Sequence, residues 1–95
     1  MSMKFEWDER KNRENIAKHG LDFADAQQVF DGPVVERLDS RFEYNEERWI
    51  AVGILRDVVC VVLVYTERSH QTFRIISFRK ADRNEREAYY KALPN

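Results

Sequence analysis

The feature of this sequence that most constrains its fold is a series of apolar, strand-like segments joined by very short connections. Residues 48–55 and 58–66 are two such segments, and only residues 56–57 separate them. Two residues are enough for a tight hairpin turn, whereas parallel strands need a crossover of about a dozen residues. Similar segments at residues 34–39 and 73–78 flank this hairpin. The sequence therefore predicts an antiparallel sheet in its second half.

Helical patterns precede this sheet. After a short predicted strand at residues 5–7, Asp8 is a suitable N-cap for a first helix, and Gly20 is suited to end it in the left-handed conformation. Asp22 caps a second predicted helix, which residues 31–33 terminate. The apolar face of this second helix has helical spacing and consists of Phe23, Ala26 and Phe30.

A last helix is predicted after the sheet. Asp82 and Glu85 have the spacing of a capping box, and the helix is expected to end near Leu93. The element order is therefore β-α-α-β-β-β-β-α, in a chain of 95 residues that is long enough for one domain. We expect residues 1–95 to form a single α+β domain, a small antiparallel sheet with the helices packed on one side.

The net charge of −1 hides an uneven distribution of charge along the chain. Residues 22–47 carry eight acidic and two basic residues, whereas residues 68–95 carry seven basic and three acidic residues. A basic segment of this kind attracts phosphates or acidic proteins, although ordinary solvated surfaces explain the same pattern. Charge alone therefore leaves a nucleic-acid partner open.

Composition argues against several classes of protein. Cys60 is the only cysteine, so no disulfide can form within the chain, and the longest apolar run, residues 58–65, is too short to span a membrane. The polar N-terminus gives no sign of a signal peptide, and we expect a cytoplasmic protein. Two histidines and one cysteine at scattered positions make no zinc site. An enzyme with this sequence is expected to act without a metal or cofactor.

One face of the first predicted helix carries side chains that suit a phosphodiester. These side chains lie at positions i, i+4, i+7 and i+8 of the helix and are Lys11, Asn15, Lys18 and His19. His19 lies at the helix C-terminus, where the helix dipole is expected to raise its pKa and favour general acid or base chemistry. His70, in a polar loop predicted at residues 67–72, is a second candidate. A solvated surface helix is the simpler interpretation of the same face.

Two arginines and a tyrosine near the last predicted strand are further candidates. Strand alternation divides this strand into two faces, one with Arg74, Ile76 and Phe78 and the other with Ile75, Ser77 and Arg79. Arg68 could join Arg79 at one phosphate only if the chain folds back. The alternative is that both arginines pair with the acidic residues in the middle of the chain. Tyr65 ends an apolar strand, where its ring can pack while its hydroxyl stays exposed.

Several motifs follow one another in a specific order along nearly the whole chain. Residues 7–20 read W-D-x-x-K-x-x-x-N-x-x-K-H-G, and residues 74–81 read R-I-I-S-x-R-x-A. Glu47, Arg48 and Gly53 lie between them. In this order the motifs resemble those of the BrnT family of toxins. The sequence departs from the family pattern at two places. Phe78 replaces a residue that is commonly small, which affects the expected shape of the pocket. The loop at residues 39–48 is longer and lacks the glycine, which affects the expected specificity.

The resemblance implies a RelE-like fold and the activity of a cytoplasmic ribonuclease toxin that cuts RNA and arrests translation. It implies a BrnA-type antitoxin as partner, with operator DNA bound only through the antitoxin. The implied site residues are Lys18, His19, Arg68 and Arg79, with Lys11 and Tyr65 as weaker members. The expected reaction is attack of a ribose 2′-hydroxyl on its own 3′-phosphate, with His19 transferring a proton and the cations stabilising the phosphate.

Two other functions fit the sequence. The first is a partner-binding module without catalysis, or an inactive toxin homologue, that uses the same basic surface for a protein. The second is a DNA-binding regulator, which would need a helix-turn-helix with a basic recognition helix, and the sequence has no such pattern.

Overall fold

The computed structural model describes residues 3–39 and 46–94, so most of the loop predicted at residues 40–46 lies outside the described residues. The predicted order of strands and helices is confirmed. In chain order the elements are β1 (Lys4–Glu6), α1 (Glu9–His19), a 3₁₀ helix (Phe23–Asp31), β2 (Val35–Leu38), β3 (Trp49–Leu55), β4 (Val59–Ser69), β5 (Thr72–Lys80) and α2 (Arg83–Ala92).

The sheet is mixed, not purely antiparallel. Its strand order is β1-β5-β4-β3-β2, and the four strands from β2 to β5 pair antiparallel as expected. β1 lies at the edge and pairs in parallel with β5, where Phe5 is opposite Phe73. The purely antiparallel prediction is therefore wrong for β1. Two helices and three strands separate β1 from β5 along the chain, so no short turn forces their direction.

The hairpin strands are longer than predicted. β4 and β5 continue through most of the segment predicted as a polar loop, leaving a tight turn around His70 and Gln71, which has a φ of 61°. The backbone N–H and C=O groups of β4 and β5 bond to each other, so the exposed polar side chains of this segment do not prevent it from forming strands. At the β3–β4 turn, Arg56 and Asp57 have φ values of 53° and 59°, and the N–H of Val58 donates to the carbonyl of Leu55. Leu55 pairs with Val59, so the turn has three residues and the predicted length of two is wrong by one.

The second helix is 3₁₀ rather than α-helical. Three residues per turn align every third side chain, so Phe23, Ala26 and Val29 form its buried face. Phe30, which α-helical spacing assigned to that face, is only half-buried. The error arises from the helical period, because an α-helix would have turned Val29 away from the sheet.

Cores form on both faces of the sheet. Val61 and Leu63 of β4 face the 3₁₀ helix, whereas Cys60 and Val62 face α2, where they contact the cluster that contains buried Tyr89. The expectation that all helices pack on one side is therefore wrong for α2. The physical reason is the unbroken apolar run of β4, which needs cover on both faces.

Gly53 of β3 lies where the 3₁₀ helix approaches the sheet closely. A Cβ atom at this position would be 2.6 Å from Cγ1 of Val29, which is fully buried. We expect Gly53→Ala to lower the free energy of unfolding by about 1–3 kcal/mol, because the packed helix must shift. Urea denaturation measures the change, with Gly32→Ala as the control, since a Cβ there meets no atom within 4 Å. Equal losses in both variants would contradict this account.

Candidate functional site

The helix α1 is fixed at both ends by its own sequence. The carboxylate of Asp8 accepts hydrogen bonds from the backbone N–H groups of Arg10 and Lys11, as an N-cap should. Gly20 ends the helix with a φ of 73°, and its N–H donates to the carbonyl of Ile16. The orientation of the last turn, which carries Lys18 and His19, is therefore well defined.

Asn15 joins α1 to the sheet and is not available to a phosphate. Its Nδ2 donates to the carbonyl oxygens of Leu21 and Phe78, each at 2.8 Å, and its Oδ1 accepts from the backbone N–H of Phe78 at 3.2 Å. β1 covers β5 only as far as Arg74, so this amide satisfies backbone groups that the sheet leaves unpaired. The predicted phosphate-binding role of Asn15 is therefore wrong.

An open cleft of about 280 Å³ lies between α1 and β5, and we call it the α1–β5 cleft. It brings together three of the six predicted site residues, Lys11, Lys18 and His19. The exposed ammonium groups of the two lysines and the half-buried imidazole thus share one space. The complete lining is Lys11, Glu14, Asn15, Lys18, His19, Ile76 and Ser77.

The pKa of His19 is lowered from its ordinary value of 6.5. Burial is the main cause, and the positive charges of Lys18 and Arg79 act in the same direction. The expected upward shift from the helix dipole is therefore wrong in sign, because desolvation and two nearby cations outweigh it. A neutral imidazole predominates at pH 7, and such a group can accept a proton.

A bulge in β5 determines which side chains face the cleft. The pairing with β4 shifts between Val64 opposite Ser77 and Tyr65 opposite Ile75, which leaves Ile76 as the extra residue. Ile75 and Phe78 are consequently both buried on the face of the 3₁₀ helix. Simple alternation assigned Ile75 to the opposite face, and that assignment is wrong because it allowed for no bulge.

Arg79 is held by α2. Its guanidinium makes two hydrogen bonds to Glu85, at 2.8 and 2.7 Å. This contact is the main reason that the pKa of Glu85 falls from 4.5 to about 2. Glu85 also closes the capping box with Asp82, so Arg79 fastens the start of α2 to the sheet. Its positive charge still acts on His19 in the α1–β5 cleft.

Arg68 and Arg79 do not converge. Arg79 is opposite Val62 on β4, and Arg68 follows six residues further along that strand. At the usual rise per residue the two backbones are roughly 20 Å apart along the ladder. Arg68 instead lies 3.9 Å from Glu46 in a solvent-exposed ion pair. The hypothesis that both guanidiniums hold one phosphate is therefore not supported by this geometry.

The Arg79–Glu85 pair is expected to contribute to stability. Arg79→Ala should lower the free energy of unfolding by roughly 1 kcal/mol at pH 7, after allowance for partial exposure. Because the folded-state pKa of Glu85 is lowered, the contribution is present above pH 4.5 and is lost as pH falls toward about 2. Thermal denaturation over this pH range measures it, with Arg68→Ala as the matched control. A deficit of Arg79→Ala that persists unchanged at low pH would contradict the assignment.

Tyr65 lies elsewhere and does not reach the α1–β5 cleft. Its ring packs edge-on against Phe30 and Phe73, and its hydroxyl donates a hydrogen bond to Glu36. The side chain is only 4% exposed, which corrects the expectation of an exposed hydroxyl. Burial is the main cause that raises the pKa of Tyr65, and the charges of Glu36 and Glu67 add to it. His70 occupies the exposed β4–β5 turn, outside the α1–β5 cleft.

Within residues 3–39 and 46–94, no three His, Cys, Asp or Glu side chains cluster as a metal site requires. No helix in the same part of the chain is long and apolar enough to cross a membrane.

The chain is similar to known proteins across both elements that form the α1–β5 cleft. Residues 7–85 match the family model described as ribonuclease toxin, BrnT, of type II toxin–antitoxin system. Among solved structures, the chain is similar to the 1.1 Å crystal structure of the Brucella abortus ribonuclease toxin, BrnT, with 31% sequence identity and a TM-score of 0.65. That similarity covers 86% of this chain and 100% of the other. A search of curated proteins gives no match.

Proposed function

Because this chain belongs to the BrnT family of ribonuclease toxins of type II toxin–antitoxin systems, we propose that it cuts RNA in the α1–β5 cleft. The observation that carries this proposal is the meeting of Lys11, Lys18 and His19 in one open space. The two ammonium groups attract a phosphodiester, and the lowered pKa of His19 supplies a neutral base beside it.

The proposed reaction is a transesterification that needs no metal. Neutral His19 accepts the proton of a ribose 2′-hydroxyl, whose oxygen attacks the adjacent 3′-phosphate. The bond from phosphorus to the 5′-oxygen breaks, and that oxygen takes a proton from water. Lys18 and Lys11 offset the negative charge that grows on the phosphate oxygens in the transition state. The products are a 2′,3′-cyclic phosphate and a 5′-hydroxyl.

The other predicted site residues have supporting roles in this proposal. Arg79 adds positive potential near His19 while it remains bound to Glu85. Arg68 and Tyr65 lie outside the α1–β5 cleft, and their roles in catalysis or RNA binding stay predictions. A relationship to the RelE-type fold stays a prediction as well.

Membership of the family supports the proposed cellular context. Cleavage of RNA in the cytoplasm would arrest translation until a cognate BrnA-type antitoxin binds the toxin. Operator DNA would be contacted only through that antitoxin. The alternative is a partner-binding module or an inactive homologue, and the paired state of Arg68 and Arg79 is the observation that favours it.

Expression of the chain in bacteria is expected to arrest growth, and co-expression of the adjacent antitoxin gene should restore it. The purified protein should cut RNA in the presence of EDTA and leave cyclic phosphate ends. Gel electrophoresis detects the cleavage, and analysis of the RNA ends identifies the 2′,3′-cyclic phosphate and the 5′-hydroxyl. RNA that stays intact with a folded, soluble protein would favour the binding module instead.

A further inference from the structure

A second cleft, of about 250 Å³, opens on the sheet face that carries the 3₁₀ helix. Register brings its side chains together, since Trp49 is opposite Tyr65 and Glu67 is opposite Phe73. We call it the Glu36–Glu67 cleft. Its lining consists of Met3, Glu36, Trp49, Tyr65, Glu67 and Phe73.

We propose that the Glu36–Glu67 cleft binds the arginine side chain of a partner protein. This inference goes beyond the proposed ribonuclease function and does not depend on it. Its walls are aromatic, and its only charged lining groups among the described residues are two carboxylates. A guanidinium stacks on aromatic rings and donates to carboxylates in a planar fork, so it fits both kinds of wall.

The carboxylates are positioned to accept further hydrogen bonds. Oε2 of Glu36 accepts from the buried Tyr65 hydroxyl, which holds the carboxylate in place and leaves its other oxygen for a ligand. Among the described residues, Oε2 of Glu67 accepts one long hydrogen bond, of 3.3 Å, from the backbone N–H of Gln71. The two arginines next to the lining residues Phe73 and Glu67 in sequence pair with other carboxylates, Arg74 with Glu6 at 2.9 Å and Arg68 with Glu46 at 3.9 Å.

The chemistry of the lining favours an arginine side chain over a nucleotide or a metal ion as the ligand of this cleft. Two uncompensated carboxylates repel the phosphate backbone of RNA, so a nucleotide fits the aromatic walls but not the charge. A bare metal ion would gain nothing from three aromatic rings, since it needs oxygen or nitrogen ligands on most sides. Arginine matches the carboxylates and the rings together.

The test is an NMR titration of the whole protein with three short peptides that differ at one position. The central residue is arginine in the first, neutral citrulline in the second and lysine in the third. The indole N–H signal of Trp49, distinguished from that of Trp7 with a Trp7→Phe variant, reports binding. We expect the arginine peptide to shift this signal with millimolar affinity and the citrulline peptide to leave it in place.

Variants of the two glutamates make the test specific. Glu36→Gln keeps an acceptor for Tyr65, so the fold should persist, and it should weaken arginine binding roughly tenfold, as should Glu67→Gln. Glu87→Gln on α2 is the exposed control and should change nothing. Equal binding of citrulline, absence of binding by the arginine peptide, equal or tighter binding of lysine, or a larger shift with guanosine monophosphate would each overturn the proposal. The peptide titration does not depend on RNA cleavage, so a protein that fails to cut RNA would still give the same binding results.

Discussion

Replacing His19 with glutamine is expected to reduce RNA cleavage by roughly 10²–10⁴-fold while the protein remains folded. Glutamine has similar size and polarity but cannot take the 2′-hydroxyl proton, so only base catalysis is lost. His19 lies at the helix end and is half-buried, which limits the cost in stability. Gel-based cleavage rates and thermal denaturation of the same samples provide the measurement.

His70→Gln is the matched control for this variant. His70 lies in the exposed β4–β5 turn, and its replacement should leave the cleavage rate unchanged. The pH dependence gives a second criterion. Because the pKa of His19 is below 6.5, the wild-type rate should rise with pH at acidic values and level off before pH 7. A His19→Gln variant that retains this acidic limb, or cleaves at the wild-type rate, would remove His19 from the site.

Replacing Asn15 with alanine is expected to lower the free energy of unfolding by about 2–4 kcal/mol, because three buried backbone groups lose their partner. For a chain of this length the melting temperature should fall by roughly 10–30 °C. The groups are the carbonyls of Leu21 and Phe78 and the N–H of Phe78. Urea denaturation measures the loss.

Asn84→Ala is the control for the effect of deleting an amide. Asn84 is exposed on α2, and alanine there should be neutral or slightly stabilising. A loss below about 0.5 kcal/mol in Asn15→Ala would mean that the amide is replaceable by water and does not hold α1 against β5.

Local chemistry in the sequence predicts much of the fold. Asp8, Asp82 and Gly20 cap helices as expected, and the central hairpin turns at Arg56 and Asp57, with Val58 as a third turn residue. The parallel pairing of β1 and the placement of α2 on the second face depend on contacts between distant segments. No local pattern encodes such contacts, although the unbroken apolar run of β4 is a signal that both faces are covered.

The candidate site shows the same difference between features set by local sequence and features set by contacts between distant segments. Helical spacing alone groups Lys11, Lys18 and His19, and they do share a cleft. The same spacing cannot reveal that the amide of Asn15 is used by the backbone of Phe78, because that strand is distant in sequence. Nor can it reveal the partner of Arg79 or the bulge at Ile76, which depend on the register between strands.

The central claim is that RNA binds in the α1–β5 cleft with its scissile phosphate beside His19. An RNA oligonucleotide methylated at every 2′-oxygen lacks the nucleophile and should bind without being cut. In an NMR titration of the wild-type protein with this RNA, we expect the largest shifts at the amides of Lys18, His19 and Ser77. Shifts confined to the outer surface of α2, around Arg83 and Arg86, with α1 and β5 unaffected, would contradict it.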